Sequence, residues 1–331
     1  MSPGRAARRL GGGLVLALAL VLLAALAVRP APAQAAPVVC KAGMNIEDLY
    51  DIDMAHDTFG AILWVWTLCP PADLTPLANV AFPTASSLNL GPVETEDLAS
   101  GERYASRRVQ GTFRYNWDMD DFPFDRQRVS IPMDETWYGA ERLVFEPDTA
   151  GSFLSPEVSA RLEDWATSDL EVSASVLVEP SSYGMPGAAE ESRYARMEAQ
   201  VTLVRADLVT FVKLTLGLFV GVFIAFLSFF YDPNDRSGFG GKLGLLVGVL
   251  FAVLLSLRNA DGSIGDTGRM TLITRIHLVT LGFIVILAVV ALRDRRRVER
   301  GLQVRHPDWP MLGLVGSLYL LIVGGLFAAA W

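Results

Sequence analysis

Four apolar stretches crowd the last part of the chain, and nothing else in the sequence constrains the fold as strongly. They run Leu208–Tyr231, Leu243–Leu257, Ile276–Leu292 and Trp309–Trp331. Each is long enough, with modest tilt or polar extension, to cross a hydrocarbon layer about 30 Å thick. They predict helices over about 208–231, 241–258, 274–292 and 309–331. The second is short and interrupted by Gly244 and Gly248, and the fourth carries an indole at each end, as an interfacial belt does. Charge divides the chain at the same point. Residues 36–206 hold 12 Lys and Arg against 28 Asp and Glu, a net −16, whereas residues 207–331 hold 12 against 8, a net +4. At 51% hydrophobic and 19% charged, the chain is too apolar for an ordinary cytosolic enzyme and excludes a disordered protein. The acidic domain would repel phosphate, so nucleic acid is not an expected partner.

The first 35 residues read as a signal peptide. Arg5, Arg8 and Arg9 precede an apolar run, Leu14 to Val28, and Ala33-Gln34-Ala35 supplies a small-x-small cleavage site. A retained anchor is the alternative, but the run is short for a span. The stretch between the third and fourth apolar segments holds Arg293, Arg295, Arg296, Arg297, Arg300 and Arg305, which marks the cytoplasmic side. Counting back, residues 36–206 lie outside, in agreement with the leader. A bacterial inner membrane with a periplasmic or extracellular N-terminal domain is expected.

That compartment is oxidising, and the mature chain has two cysteines, Cys40 and Cys69. A hairpin pairs residues whose numbers sum to a constant, and for these two the turn centres on Met54–Ala55. The cysteines then face each other across two strands, and a disulfide is expected; the alternative is two buried thiols. Without clustered histidines they do not read as a zinc site. Short alternating runs, Arg108–Tyr115, Arg126–Met133, Arg142–Glu146, Leu170–Val178 and Met197–Arg205, indicate an all-β domain of sandwich type. The expected architecture is a β-sandwich outer domain, 36–206, followed by a four-helix transmembrane domain, 207–331.

One segment is more specific than the rest: Trp117-Asp118-Met119-Asp120-Asp121-Phe122-Pro123-Phe124-Asp125-Arg126-Gln127. It reads as a loop between strands whose apolar tip has no core of its own, so it should dock on the outer face of the helices. Phe-Pro-Phe-Asp-x-Gln resembles the signature loop of the pentameric ligand-gated ion channels, the Cys-loop receptor superfamily, in their prokaryotic form. The bracketing cysteines of that family would fall near Arg114 and Val129, so the loop disulfide is absent. The resemblance extends through Asn45-Ile46, the strand from Thr58-Phe59 to Trp66, Glu163-Asp164-Trp165, Tyr194-Ala195-Arg196, Arg205 and Asp232-Pro233. It implies a homopentamer in a lipid bilayer, a small ligand bound between outer domains, and permeant ions if the pore conducts. It also implies that Phe122, Pro123, Phe124 and Asp125 form a coupling loop acting on the linker Asn259–Thr274, with Arg205 at the domain boundary. The plainer readings are a solvated carboxylate at Asp125 and an interfacial snorkelling cation at Arg205.

Pockets in that family are aromatic boxes. The candidates here are Trp64, Trp66, Trp137, Tyr138, Tyr183 and Tyr194, with Glu135 assisting; such a box suits a cation. Trp64 and Trp66 alternate on one strand face and equally suit a sandwich core. On the second apolar stretch, Gly244, Gly248, Phe251, Leu255, Arg258 and Gly262 share a candidate pore-lining face, without a Ser, Thr or Glu ring in its inner half. Lys242 and Arg258 flank it. Gly240, Gly244 and Gly248 also form a small-xxx-small face that suits helix packing. No phosphate loop or nucleophile elbow stands out, and neither an enzyme nor a cofactor is expected. The two functions to be weighed are a ligand-gated channel subunit and a non-conducting periplasmic sensor on the same fold.

Overall fold

The computed structural model describes residues 36–330 except 72, 163, 187–189, 206, 233, 265–268 and 305–306. The expected leader lies outside the described residues, as do Glu163, Pro233, Arg305 and Trp331. Twelve strands come first: β1 (Val38–Asp53), β2 (Thr58–Cys69), β3 (Val80–Ala81), β4 (Ala85–Leu90), β5 (Glu94–Asp97), β6 (Arg103–Arg114), β7 (Arg126–Gly139), β8 (Leu143–Pro147), β9 (Phe153–Leu154), β10 (Ala166–Thr167), β11 (Glu171–Glu179) and β12 (Ser192–Val204). Four long helices follow: Leu208–Leu227, Arg236–Ile264, Leu272–Glu299 and Trp309–Ala330.

The strands form two sheets. One has the order β4-β6-β2-β1-β8, with β5 on β6 and β9 on β1; the other runs β10-β12-β7-β3, with β11 on β12. Alternation explains the layering. In β2, Phe59, Ala61, Leu63, Val65 and Cys69 are buried, and in β12 Ala195, Met197, Ala199, Val201 and Leu203 are. Successive side chains in a strand point to opposite faces, so each set forms one inner face of the sandwich. Each large apolar side chain so buried contributes about 1.5–3 kcal/mol.

Cys40 and Cys69 are disulfide-bonded. The expected register holds from Lys41↔Leu68 to Ile46↔Leu63, then shifts at two irregularities to end at Asp53↔Thr58, with the turn at 54–57. The bond closes a separation of 29 residues. Chain entropy for a loop of that size gives about 3.6 kcal/mol. Cys69→Ser should therefore lower the unfolding free energy of the head by about 3.6 kcal/mol in denaturant titrations, with no change for the wild type until reductant is added.

All four long helices are apolar enough to cross a membrane, over Leu208–Phe230, Gly238–Gly262, Leu272–Glu299 and Trp309–Ala330. The second and third outrun the expected segments. The second continues to Ile264, because glycine lowers helix propensity without forbidding the helix. The third continues through Arg293–Arg297, so these arginines sit on a helix and not in a loop. Arg295 pairs with Glu299 one turn on, at 3.1 Å, which supports that extension. Asp207 and Thr271 cap the first and third helices, their side chains accepting the N–H groups of Thr210 and Thr274.

Polar contacts bind the helices inside the apolar layer. Thr280 and Tyr319 hydroxyls meet at 2.9 Å, and His277 Nε2 meets Ser256 Oγ at 3.0 Å. His277 is fully buried. Such bonds matter where tails of lipid are as apolar as leucine and supply little drive for helix association.

Candidate functional site

Strand register places the site. β6 belongs to one sheet and β7 to the other, so the chain from Tyr115 to Asp125 must cross the end of the sandwich. β12 pairs with β7 up to Val204↔Arg126. The next residue on each strand, Arg205 and Asp125, is thereby set side by side, and Arg205 N–H donates to the Asp125 carbonyl at 3.0 Å. The β1–β2 turn arrives at the same end, because Thr58 pairs with Arg114.

Gln127 closes the loop at its base. Its Oε1 accepts the Asp118 N–H at 3.0 Å, and its Nε2 donates to the Asp118 carbonyl and, at 2.7 Å, to Asp125 Oδ2. Trp117 Nε1 donates to the Asp53 carbonyl at 3.1 Å, tying the loop to the β1–β2 turn. Within the loop, Met119, Phe122 and Phe124 are buried. The Phe122–Pro123 peptide is cis.

Phe124 is where the loop meets the helices. Its ring lies 5.5 Å from Phe211 of the first helix and 5.4 Å from Phe327 of the fourth, and those two are 5.3 Å apart. The Pro123 carbonyl accepts the Asp207 N–H at 3.4 Å. The apolar tip thus docks on the first and fourth helices. The linker between the second and third helices and the first turn of the third helix touch the loop's polar base instead: Arg269 of the linker donates to the Trp117 carbonyl and Asn116 Oδ1, and Arg275 of the third helix pairs with Asp120 at 3.2 Å. Arg275 thus meets the loop carboxylate Asp120, and Arg269 comes within 4.0 Å of Asp57 in the β1–β2 turn; the motif alone gave Arg269, Arg275 and Gln127 no role.

Asp125 and Arg205 are 2% and 7% exposed, which overturns both the solvated carboxylate and the snorkelling cation. Their side chains meet at 3.4 Å. The guanidinium also lies 4.1 Å from the Trp165 ring and 4.9 Å from the Phe122 ring. Burial pushes the Asp125 carboxyl above its ordinary range, against the pull of Arg205 and Gln127, and burial pushes Arg205 down despite Asp125. Desolvation outweighs attraction for both partners. The pair is therefore a poor source of net stability and a costly one to break.

The aromatic candidates do not form one box within a single chain. Trp64 and Trp66 point away from the core, contrary to the core reading, because the odd-numbered residues of β2 are the inward ones. Trp64 Nε1 donates to Glu47 Oε1 at 3.0 Å, and Trp66 Nε1 to Asp148 Oδ2 at 3.2 Å. The Trp66 indole lies flat over its cross-strand partner Gly43, where a Cβ would come within 2.3 Å of it. Tyr183 and Tyr194 belong to the other sheet's end, their rings 6.4 Å apart. Trp137 is 74% exposed, whereas Tyr138 is buried, with the Arg142 guanidinium 5.2 Å from its ring. Glu135 is fully buried, so it does not reach a surface ligand as expected. A bidentate pair missed in the sequence, Arg196 with Asp134 at 2.6 and 2.7 Å, stands between these groups.

On the second helix, Gly244, Gly248, Phe251, Leu255, Arg258 and Gly262 are all exposed, and Leu246, Val249, Val253 and Ala260 on the opposite face are buried. Among the described residues nothing lies within 4 Å of a Cβ built on Gly240, Gly244 or Gly248, so no helix of the same chain packs there. Lys242 is 4% exposed and lies 5.1 Å from the Phe229 ring, inside the chain's own bundle, which removes it from the flank of that open face. No protein-family model matches the chain, and no curated protein matches it.

Proposed function

We propose that the chain is one subunit of a pentameric ligand-gated ion channel of prokaryotic type, with its β head outside a bacterial inner membrane. One observation carries the reading: the β6–β7 loop engages three helices and the inter-helix linker at once, through Phe124 on one side and Arg269 and Arg275 on the other. A ligand acts on a distant pore only by favouring one of two arrangements of the element between them. A loop stapled by Gln127, anchored by Trp117 and seated on the helices is suited to move as a unit.

The split aromatic set agrees with a site between neighbours. Trp64 and Trp66 lie on the outer face of one sheet and Tyr183, Tyr194 and Trp137 on the other, so a box needs two chains. The open face of the second helix would line the axis. There Phe251 and Leu255, 60% and 65% exposed, form an apolar constriction that opens by wetting.

That same face supports the second reading, a non-conducting sensor. It offers ions glycines and hydrocarbon where channels commonly offer polar rings. Purified protein in liposomes separates the two. The channel reading expects five copies around one axis by native mass spectrometry and ion flux that Gly248→Leu alters. Five copies with no flux under any ligand or pH step tried would favour the sensor, and a monomer or dimer would overturn both.

A further inference from the structure

The head contains a buried carboxylate that the coupling loop does not use. Glu135 has no solvent-exposed surface. Its Oε2 accepts two consecutive backbone N–H groups, those of Trp137 at 3.0 Å and Tyr138 at 2.5 Å. Its Oε1 is buried with no hydrogen-bond partner among the described residues.

The backbone around it is irregular in a way that this carboxylate accounts for. β7 and β12 pair in step from Val204↔Arg126 to Arg196↔Asp134, and the next pair is Tyr194↔Gly139. Four residues of β7, Glu135 to Tyr138, therefore stand opposite Ala195 alone. Extra residues leave backbone N–H groups without a ladder partner. Two of them are the N–H groups that Glu135 accepts. The bulge turns Tyr138 inward, where its hydroxyl accepts the Thr75 N–H at 3.4 Å, and throws Trp137 outward.

We infer that Glu135 is a positioning residue for the aromatic edge of the head: its ionised carboxylate fixes the bulge that turns Trp137 out to the surface, and taking up a proton loosens that bulge. The unpartnered Oε1 is the seat for the proton, since Oε2 is engaged twice. A neutral carboxyl accepts N–H bonds more weakly than a carboxylate does. Burial pushes Glu135 up to about 7, against the pull of the Tyr138, Trp137 and Thr136 N–H groups.

The surroundings leave the charge uncompensated. The 3-10 turn Pro76–Asn79 and β3, which pack on β7 here, carry no ionisable side chain. Arg196 of β12 is locked on Asp134, which alternates to the other face of β7. Arg142 stacks on Tyr138, and Arg107 of β6 donates to the Leu77 and Gly91 carbonyls.

The consequence for a ligand rests on the proposed site, but the titration itself does not, so the two fail separately. The test uses the full chain in detergent with 5-fluorotryptophan at its seven tryptophans, the Trp137 resonance being assigned by Trp137→Phe. That resonance should shift with a midpoint near pH 7, Glu135→Gln should flatten the shift, and Glu135→Asp should restore a titration. A Trp137 resonance constant from pH 5.5 to 8.5 in the wild type overturns the inference, as does an unchanged titration in Glu135→Gln. Should Glu135→Gln fail to fold, the wild-type and Glu135→Asp profiles decide. Loss of flux with this titration intact would count against the channel and leave the inference standing.

Discussion

Arg205→Met should lower the unfolding free energy of the head by about 3–5 kcal/mol, the range for removing one partner of a buried ion pair. The magnitude follows from what is left behind. Asp125, 2% exposed, would keep Gln127 Nε2 and lose the Arg205 cation. The two rings that sandwich the guanidinium, Trp165 and Phe122, would keep a methionine stem in place of the plane they stack on. Methionine fills the volume, so the loss reads the charge and not a cavity. The second mutation is the sharper one. If desolvation outweighs attraction in this pair, then Asp125→Asn added to Arg205→Met should recover roughly half of the loss, since the stranded charge disappears with it. Denaturant titrations of the single and double variants, read by tryptophan fluorescence, give the coupling directly. A single variant within about 1 kcal/mol of wild type would mean that the pair behaves as an exposed one, for which that is the usual ceiling.

The contrast with Arg275 and Asp120 makes the point from the other side. Those side chains meet at 3.2 Å but are 32% and 65% exposed. A pair so wet contributes about 0–1 kcal/mol. The docking of head on helices therefore depends on the Phe124, Phe211 and Phe327 rings and on Arg205 more than on the salt bridges at the rim. Aromatic pairs add about 0.5–1.5 kcal/mol each beyond the area they bury.

How far the sequence could be read follows from which interactions have a period. The four helices were legible because hydrophobicity sustained over twenty residues has one physical outcome in lipid. The disulfide was legible because antiparallel pairing is arithmetic, and the register held as far as Ile46↔Leu63, close enough to the cysteines to place them together. The bulge at Glu135–Tyr138 was not legible. It breaks the period-2 pattern, and an apolar-facing glutamate looks in sequence like any surface acid. Trp64 and Trp66, fit by their spacing for a pocket or a core alike, could not be assigned a face for a related reason. Two tryptophans on one face are apolar by composition, yet each indole N–H found a carboxylate, Glu47 and Asp148, on the outside of the sheet. Arg269 and Arg275 carried a charge signal, but their partners lie about 150 residues away along the chain, and only the fold brings them together.

Trp117→Ala should be the most damaging single truncation in the head. Trp117 heads the fully buried side chains by volume. Its ring lies 4.8 Å from Tyr115, 6.3 Å from Trp165 and 6.4 Å from Phe59, so three aromatic contacts go at once. Truncation of a buried tryptophan costs about 3–5 kcal/mol, and the Asp53 carbonyl, left without its indole donor, adds roughly 1–3 kcal/mol. Trp117→Phe separates these two contributions, because it keeps most of the packing and loses the donor; it should fall at roughly a third of the alanine loss. The position matters beyond stability. Trp165, against which Trp117 packs, is the ring under Arg205, and the Trp117 carbonyl receives Arg269 from the linker. A truncated Trp117 therefore loosens both ends of the junction together. The measurable sign is non-additivity: Arg269→Ala should matter less in the Trp117→Ala background than in the wild type. Strict additivity of the two, within about 0.5 kcal/mol, would show that the linker contact is independent of the loop's aromatic anchor.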